Sequence, residues 1–457
     1  MSGSEGLLTV VDGRLVFDGH DLVELADGHP TPFFVFSQRQ LRANIAAIGS
    51  AFGRRHPATS IYYASKACSN LWFLGEVLRG GIDIEVNAGG ELRKALRVGF
   101  APRQIIFNGV AKTREEIDEA VRLGVHALMV DSLFELERIE EVAAAAGVVA
   151  RVAPRIDVYV PTMTHPGLET AHGGKAGIDR DDAVPAFRRA AESPHLEPVG
   201  LHVHIGSQIT SVDPYRQAVG AALSLVDEVE GAAGVKLDFL DVGGGFAVPY
   251  REGPVVCHPA DYFCSRLAMD DYAETICGEL ERRRPDLRLA IEPGRSIAGT
   301  TAVLVSRVEN EKTRGVRDAR GRRVSDDRWI TVDAGFNTLL EHFSYAWYYR
   351  AVVADRAGEP PDTEFRLAGP LCDGGDIYVG DGGSVYRTLP EATTVGDVVA
   401  FLDVGAYALE TMHPYNARPR AAAYAVLEDG RFELVRRADD DDDLIAHDVV
   451  PGGAPST

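Results

Sequence analysis

The chain has 457 residues, 47 of them Lys or Arg and 68 Asp or Glu, giving a formal charge of −21, and 45% of the residues are apolar. A charge of that sign repels phosphate backbones, so nucleic acid is not an expected partner, and the apolar content excludes a disordered chain. The opening residues lack a basic segment followed by an apolar core, and no apolar run approaches the roughly 18 residues of a membrane span; no membrane association is expected, and the expected location is the cytoplasm.

The opening "LLTVVDGRLVFDG" reads as a hairpin. From Thr31 to Ile297, β-type runs follow one another: "TPFFVFS", "SIYYASK", "GIDIEV", "QIIFNG", "HALMVDS", "VVARVAPRI", "PVGLHVHIGS", "LDFLDVGGGF" and "LRLAIEPGRS". Between most of them lie stretches of helical period, such as "LFELERIEEVAAAAG" and "PYRQAVGAALSLVDEVEGAAG". Repeated strand–helix units imply parallel strands, and about eight of them fit a closed (β/α)8 barrel of the TIM type better than an open sheet. After Gly299 the texture changes to strands separated by Gly, Asp and Pro turns, which predicts a C-terminal β domain completed by the N-terminal hairpin. The expected division is therefore residues 1–30 with the β domain, 31–298 as the barrel and 299–457 as the β domain. The acidic run "ADDDDDL" reads as a solvated loop.

Five cysteines, Cys68, Cys257, Cys264, Cys277 and Cys372, are too few and too irregular for a disulfide framework or a zinc site, so any that matters acts singly. In a barrel, functional groups collect where strands run into the loops before helices. Lys66 ends "SIYYASK"; His204, Gly206 and Ser207 end "GLHVHIGS"; Gly243 to Gly245 end "LDFLDVGGG"; Glu292, Gly294 and Arg295 end "LAIEPGR". Consecutive glycines let backbone N–H groups close on an anion, although the same triplet can be a tight turn alone. Arg295 can neutralise a phosphate or serve an ordinary ion pair. His202 and His204 share one strand face; without further ligands nearby they make a weak metal site, and one of them can stack on a planar ring. Glu292 at a barrel mouth needs a cationic partner, which a protonated pyridine nitrogen would provide. Lys66 lies among Ala64, Ser65 and Ala67, with room for a planar group, and a desolvated lysine is suited to Schiff-base chemistry; a surface lysine is the plainer alternative.

A phosphate cradle, a pyridinium partner, a stacking residue and an amine together point to pyridoxal 5′-phosphate (PLP). The motifs "YYASKA", "GGELRKAL", "HVHIGSQ", "DVGGGF", "EPGR", "GPLCDGGD", "GAYAL" and "YNARPRAA", in this order, resemble those of the alanine-racemase-barrel (fold-type III) PLP-dependent decarboxylases, which include diaminopimelate and ornithine/arginine decarboxylases. The resemblance implies that Lys66 carries the cofactor, His204 stacks on its ring and Glu292 holds its ring nitrogen protonated. It implies that Ser207, Gly243, Gly244, Gly245, Gly294 and Arg295 surround the phosphate, with Tyr407 hydrogen-bonded to it. It further implies a homodimer in which Cys372 and Asp373 enter the partner's site, with Cys372 or Lys66 returning a proton to the substrate carbon.

Two departures bear on the substrate. Where diaminopimelate enzymes carry "CESGD", this chain has "CDGGD", and where they carry an arginine for the distal carboxylate, "TVDAGFNTLLEHFSYAWYYRAV" places Glu341 and His342. Asp333 and Glu341 suggest a cationic or modified side chain on the substrate; a solvent-facing Glu341 is the alternative. The aromatic residues Phe343, Tyr345, Trp347, Tyr348 and Tyr349 can line a wide pocket or pack a core. The expected function is α-decarboxylation of a non-standard, modified or basic amino acid. The alternatives are meso-diaminopimelate decarboxylation to L-lysine, a racemase, or a non-catalytic regulatory homologue.

Overall fold

The computed structural model describes residues 6–162, 164–170, 173–251, 262–380 and 383–451; Cys257 lies outside them. The chain divides into two compact units, Arg39–Thr300 and a second made of Gly3–Gln38 with Thr301–Thr457.

The first unit is the barrel. Its strands are Thr59–Ala64, Asp83–Val86, Ile105–Phe107, Ala127–Val130, Ala150–Pro154, Leu196–Pro198 continued by Gly200–His202, Phe239–Asp241 and Arg288–Ile291, all parallel. Leu196–Pro198 pairs with Ala150–Pro154 on one side, and Gly200–His202 pairs with Phe239–Asp241 on the other, so the two segments act as one strand. The last strand pairs with the first through Ile291 and Ile61, which closes the ring. Tyr62, Ile106, Met129, Ala153, Val199, Phe239 and Ala290 meet in the interior as one apolar cluster. The barrel is thus a packed core, and its chemistry is confined to the strand ends. Gly200 allows this closure: a Cβ there would lie 2.5 Å from the Phe239 ring.

The helices Leu133–Ala146 and Asp213–Ala233 fall where the apolar period predicts them, and each stops at a left-handed glycine, Gly147 and Gly234. The helix Gln38–Gly53 precedes the first barrel strand. Its Asn44 amide donates to the Ile297 carbonyl at 2.8 Å and the Thr300 hydroxyl at 3.0 Å, so this helix covers the end of the last strand.

The expected start of the barrel at residue 31 is corrected. Phe33–Ser37 belongs to the β unit, pairing antiparallel with Ala302–Arg317 and parallel with Ala422–Val426. All five residues are buried. A continuous apolar run marks a strand covered on both faces but does not say which sheet covers it. Lys66 therefore follows the first barrel strand and not the second.

In the β unit the long strand Ala302–Arg317 pairs with Arg323–Val332 along its outer half and with Phe33–Ser37 and Val398–Phe401 along its inner half. The N-terminal segment forms its own small antiparallel sheet, Leu8–Val11, Arg14–Phe17 and His20–Asp21. Leu15 and Phe17 pack with Phe33, Val303, Val305 and Val398 in one core. The acidic run is not a plain loop: Asp440 caps a short helix, Asp441–Ile445, and Asp439 pairs with Arg420 and Arg436.

Candidate active site

Four strand ends of the barrel unit are tied together at the C-terminal face. Lys66 sits in a single helical turn, Ser65–Ala67, directly after its strand. The Ser65 hydroxyl donates to Glu91 at 2.8 Å, and the Ala64 N–H donates to the Pro293 carbonyl at 3.2 Å. Gly294 faces this turn, and a Cβ there would stand 3.0 Å from the Ala64 Cβ. The Glu292 N–H donates to the Gly243 carbonyl at 2.8 Å, joining the glycine turn to "EPGR".

Glu292 is 4% exposed. Its two oxygens accept from the Asn108 amide at 3.1 and 3.2 Å, and the His202 Nε2 lies 3.5 Å away. Burial pushes this carboxyl up, but His202, Lys66 and Arg155 more than offset it, holding it below the usual carboxylate value. Two further buried carboxyls face the same space. Burial above all, with Glu292 adding to it against the pull of Lys66, raises Glu85 to about 8; burial and Glu292 raise Asp241 well above its ordinary value. The ionised form therefore belongs to Glu292, while Glu85 and Asp241 favour the protonated form.

His202 and His204 do different things. His202 is wholly buried beside Glu292, whereas the His204 Nδ1 accepts the Gly244 N–H at 3.3 Å. Burial, reinforced by Lys66 and Arg155, lowers His204 well below the ordinary imidazole value, so it is neutral. His202, Asp241 and Glu292 bring one ligand atom each within 4.8 Å of one another. The neighbouring positive charges of Lys66 and Arg155 make this cluster better suited to a group bearing one N–H than to a metal ion.

The residues expected to form an anion cradle lie close together. Gly243 and Gly245 have φ of 68° and 92°, a conformation that favours glycine. The Arg295 Nε donates to the Ser207 hydroxyl at 3.2 Å and its Nη1 to the Tyr250 hydroxyl at 3.0 Å. Tyr215 donates to the Gly244 carbonyl at 2.8 Å, fixing the turn from below.

In the β unit the expected residues occupy contrasting settings. Cys372 and Asp373 are exposed, and the Cys372 N–H donates to the Asn416 side chain at 2.8 Å. Tyr407 has φ of 65° and caps the short helix Ala408–Thr411; a bulky residue held in that conformation is strained. Asp333 accepts from the Ser306 hydroxyl at 2.8 Å and the Arg307 N–H at 3.0 Å, so it is engaged within its own sheet. Glu341 does not face solvent: it is 5% exposed and accepts from the Tyr349 hydroxyl at 2.9 Å. Trp347 and Tyr349 are core residues, whereas Phe343 is half exposed against Phe336.

Glu85, Asn108, Arg155 and Asp241 were not singled out by the motifs. Each is a polar residue at or just beyond the C-terminal end of a barrel strand, in "DIEV", "IIFN", "RVAPR" and "FLD", and that position was the available signal.

A closed parallel barrel with a lysine, neutral imidazoles and one ionised glutamate at its mouth, in a chain that also has a separate β unit, is the architecture of a cofactor-dependent barrel enzyme. Residues 39–299 match the family model of the pyridoxal-dependent decarboxylase, pyridoxal binding domain. The chain is 34% identical to a diaminopimelate decarboxylase of Archaeoglobus fulgidus over 97% of this chain and 99% of that one. It is 36% identical to that of Pseudomonas aeruginosa over 93% and 95% of the two chains. The crystal structure of the Methanocaldococcus jannaschii diaminopimelate decarboxylase in complex with L-lysine superposes with a TM-score of 0.86 at 30% identity, covering 99% of both chains. The chain belongs to the family of fold-type III PLP-dependent decarboxylases of the diaminopimelate/ornithine type, and it is a PLP-dependent carboxy-lyase acting on an amino acid. Among the described residues no helix is long and apolar enough to cross a membrane.

Proposed function

We propose that this decarboxylase removes the α-carboxylate of a basic or modified amino acid whose distal end lacks a free carboxylate. The observation that carries this reading is Glu341, a buried carboxylate that accepts from the Tyr349 hydroxyl, at the position where the family resemblance implies an arginine in the diaminopimelate enzymes. A carboxylate repels a second carboxylate and favours a cationic or hydrogen-bond-donating end. A second reading, meso-diaminopimelate, is favoured by the names of the relatives in the sequence comparison.

The residues at the barrel mouth fit PLP. Both Glu85 oxygens, the Asp241 Oδ2 and the His202 Nδ1 are buried with no hydrogen-bond partner within 3.5 Å among the described residues, which suits a polar ligand above them. Bound PLP supplies an electron sink for the pair left behind when CO2 departs. Lys66 is the amine that would hold the cofactor covalently. Glu292, ionised, would hold a proton on the ring nitrogen, and neutral His204 would offer its flat face to the ring. The N–H groups of the Gly243–Gly245 turn, with Gly294, Ser207, Arg295 and Tyr407, would hold the phosphate. Cys372 or Lys66 returns a proton to the substrate α-carbon. We further place Cys372 and Asp373 in the site of a partner copy, a homodimer supported by their exposure on a loop. The cytoplasm is the proposed location, supported by a cysteine content too low and too irregular in spacing for a disulfide framework.

The test is product analysis by mass with the purified, PLP-loaded protein, offered meso-diaminopimelate and both enantiomers of lysine, ornithine, arginine and glutamate. CO2 release from a basic amino acid, with meso-diaminopimelate inert, is the expected result. Efficient turnover of meso-diaminopimelate establishes the second reading, and undiminished turnover by Lys66→Ala sinks the assigned chemistry.

A further inference from the structure

Three carboxyls converge at the barrel mouth, yet their hydrogen bonding differs. Both Glu85 oxygens and the Asp241 Oδ2 are buried without a donor among the described residues, while the Asp241 Oδ1 accepts the Gly243 N–H at 2.8 Å. Glu292 has the closest side-chain donor of the three: the Asn108 amide reaches both of its oxygens, whereas the Asn87 side chain has only a minor pull on Glu85. Asn108 is itself buried and cannot turn away easily. Its own N–H donates to the Val86 carbonyl at 2.7 Å, and a Cβ on the next residue, Gly109, would strike the Asn87 carbonyl. The same turn is held from the other side by Lys112, whose ammonium donates to the Gly109 carbonyl at 2.6 Å and the Met129 carbonyl at 2.7 Å.

From this geometry we propose that Asn108 is a positioning residue that assigns the buried negative charge of the site to Glu292 and fixes that carboxylate's orientation. A neutral amide suits the task. It stabilises the anion without adding a positive charge that would compete with the ring nitrogen for Glu292. The charged and titratable groups facing Glu292 are Lys66, Glu85, Arg155, His202 and Asp241, with His204 beyond them. Without the Asn108 donors, Glu292 can turn towards the His202 Nε2, now 3.5 Å away, and form a tighter pair with it. With aspartate at position 108, a further carboxyl would abut Glu292, and the two would share one proton. In either variant the charge that should face the ring nitrogen is diverted.

The inference rests on the reading of Glu292 as the ring-nitrogen partner, and the experiment separates the two. Asn108→Ala, the near-isosteric Asn108→Asp and Glu292→Gln are prepared beside the wild type, with folding checked by circular dichroism. PLP affinity is measured by equilibrium titration of the apo-protein, and the absorbance of the bound cofactor is followed against pH. The expected result is that both Asn108 variants bind PLP roughly ten-fold more weakly and move the absorbance midpoint in the direction of Glu292→Gln. A structural role alone would lower stability and leave that midpoint in place. If Glu292→Gln departs from the wild type while folded Asn108→Asp keeps its affinity and midpoint, the assignment of Asn108 is overturned and that of Glu292 stands. If Glu292→Gln also behaves as wild type, the Glu292 reading falls and the Asn108 proposal falls with it.

Discussion

The Arg295 Nε donates to the Ser207 hydroxyl at 3.2 Å, linking the segment after the last barrel strand to the end of "HVHIGS". The same guanidinium reaches the Tyr250 hydroxyl, so its plane is fixed before any anion arrives. A fork held this way gives directed donors that an ammonium cannot reproduce. Arg295→Lys is therefore expected to weaken PLP binding by at least about ten-fold, and Tyr250→Phe by less, in equilibrium dialysis of the apo-protein. Equal affinity for wild type and Arg295→Lys would move the phosphate away from this arginine.

Glu85 makes the stability of the PLP-free protein depend on pH. Its carboxyl is raised from the ordinary 4.5 to about 8, mainly by burial, so the folded state keeps a proton that the unfolded chain releases. Between about 4.5 and about 8 the unfolded state binds fewer protons, and stability from this group falls as pH rises. Glu85→Gln removes that dependence. Thermal melts of the apo-protein at pH 5, 6, 7 and 8 are expected to show a shallower decline for the variant. Parallel curves would mean that Glu85 titrates normally.

Much of the strand-end face was legible because glycine-rich and charged motifs ended β-type runs, and strand ends are where a barrel exposes chemistry. Lys66, His204, Gly243 to Gly245, Glu292 and Arg295 all sit at that face. Asn108 escaped because one amide after "IIF" has no motif of its own; its meaning comes only from Glu292, 184 residues away. The strand Phe33–Ser37 was recognisable as a strand but not assignable to a sheet, since its period is the same in either. Glu341 was ambiguous for a different reason. A glutamate in an apolar segment reads as a surface or ligand-facing group, and its burial with the Tyr349 hydroxyl donating to it removes the surface reading.

Asp376, the last residue of "CDGGD", is expected to hold the loop that carries Cys372. It is 2% exposed, and its two oxygens accept the Phe336 N–H at 2.9 Å and the Leu371 N–H at 3.0 Å. Asp376→Ala strands two buried backbone donors, which should cost about 2–3 kcal/mol and lower kcat through a displaced Cys372. Asp376→Asn retains one acceptor and should cost roughly half as much. Denaturant titrations of the two variants provide the check, and a loss below about 0.5 kcal/mol for alanine would show that the loop holds itself.

Lys112 and Glu135 form a wholly interior pair, 3.1 Å apart, between the ends of the third and fourth barrel strands. Burial lowers the lysine, and Glu135 restores part of its basicity. The ammonium satisfies the Gly109 and Met129 carbonyls, while Glu135 also accepts the Asp131 N–H at 2.8 Å. Lys112→Met would leave a buried carboxylate and two carbonyls without their cation, at a cost of about 3–5 kcal/mol. Adding Glu135→Gln to that variant removes the stranded charge, so the double variant should be more stable than Lys112→Met alone. Chemical denaturation of the PLP-free protein measures both steps. If the single variant loses less than about 1 kcal/mol, water or a local shift has replaced the pair, and the turn that carries Asn108 does not depend on Lys112.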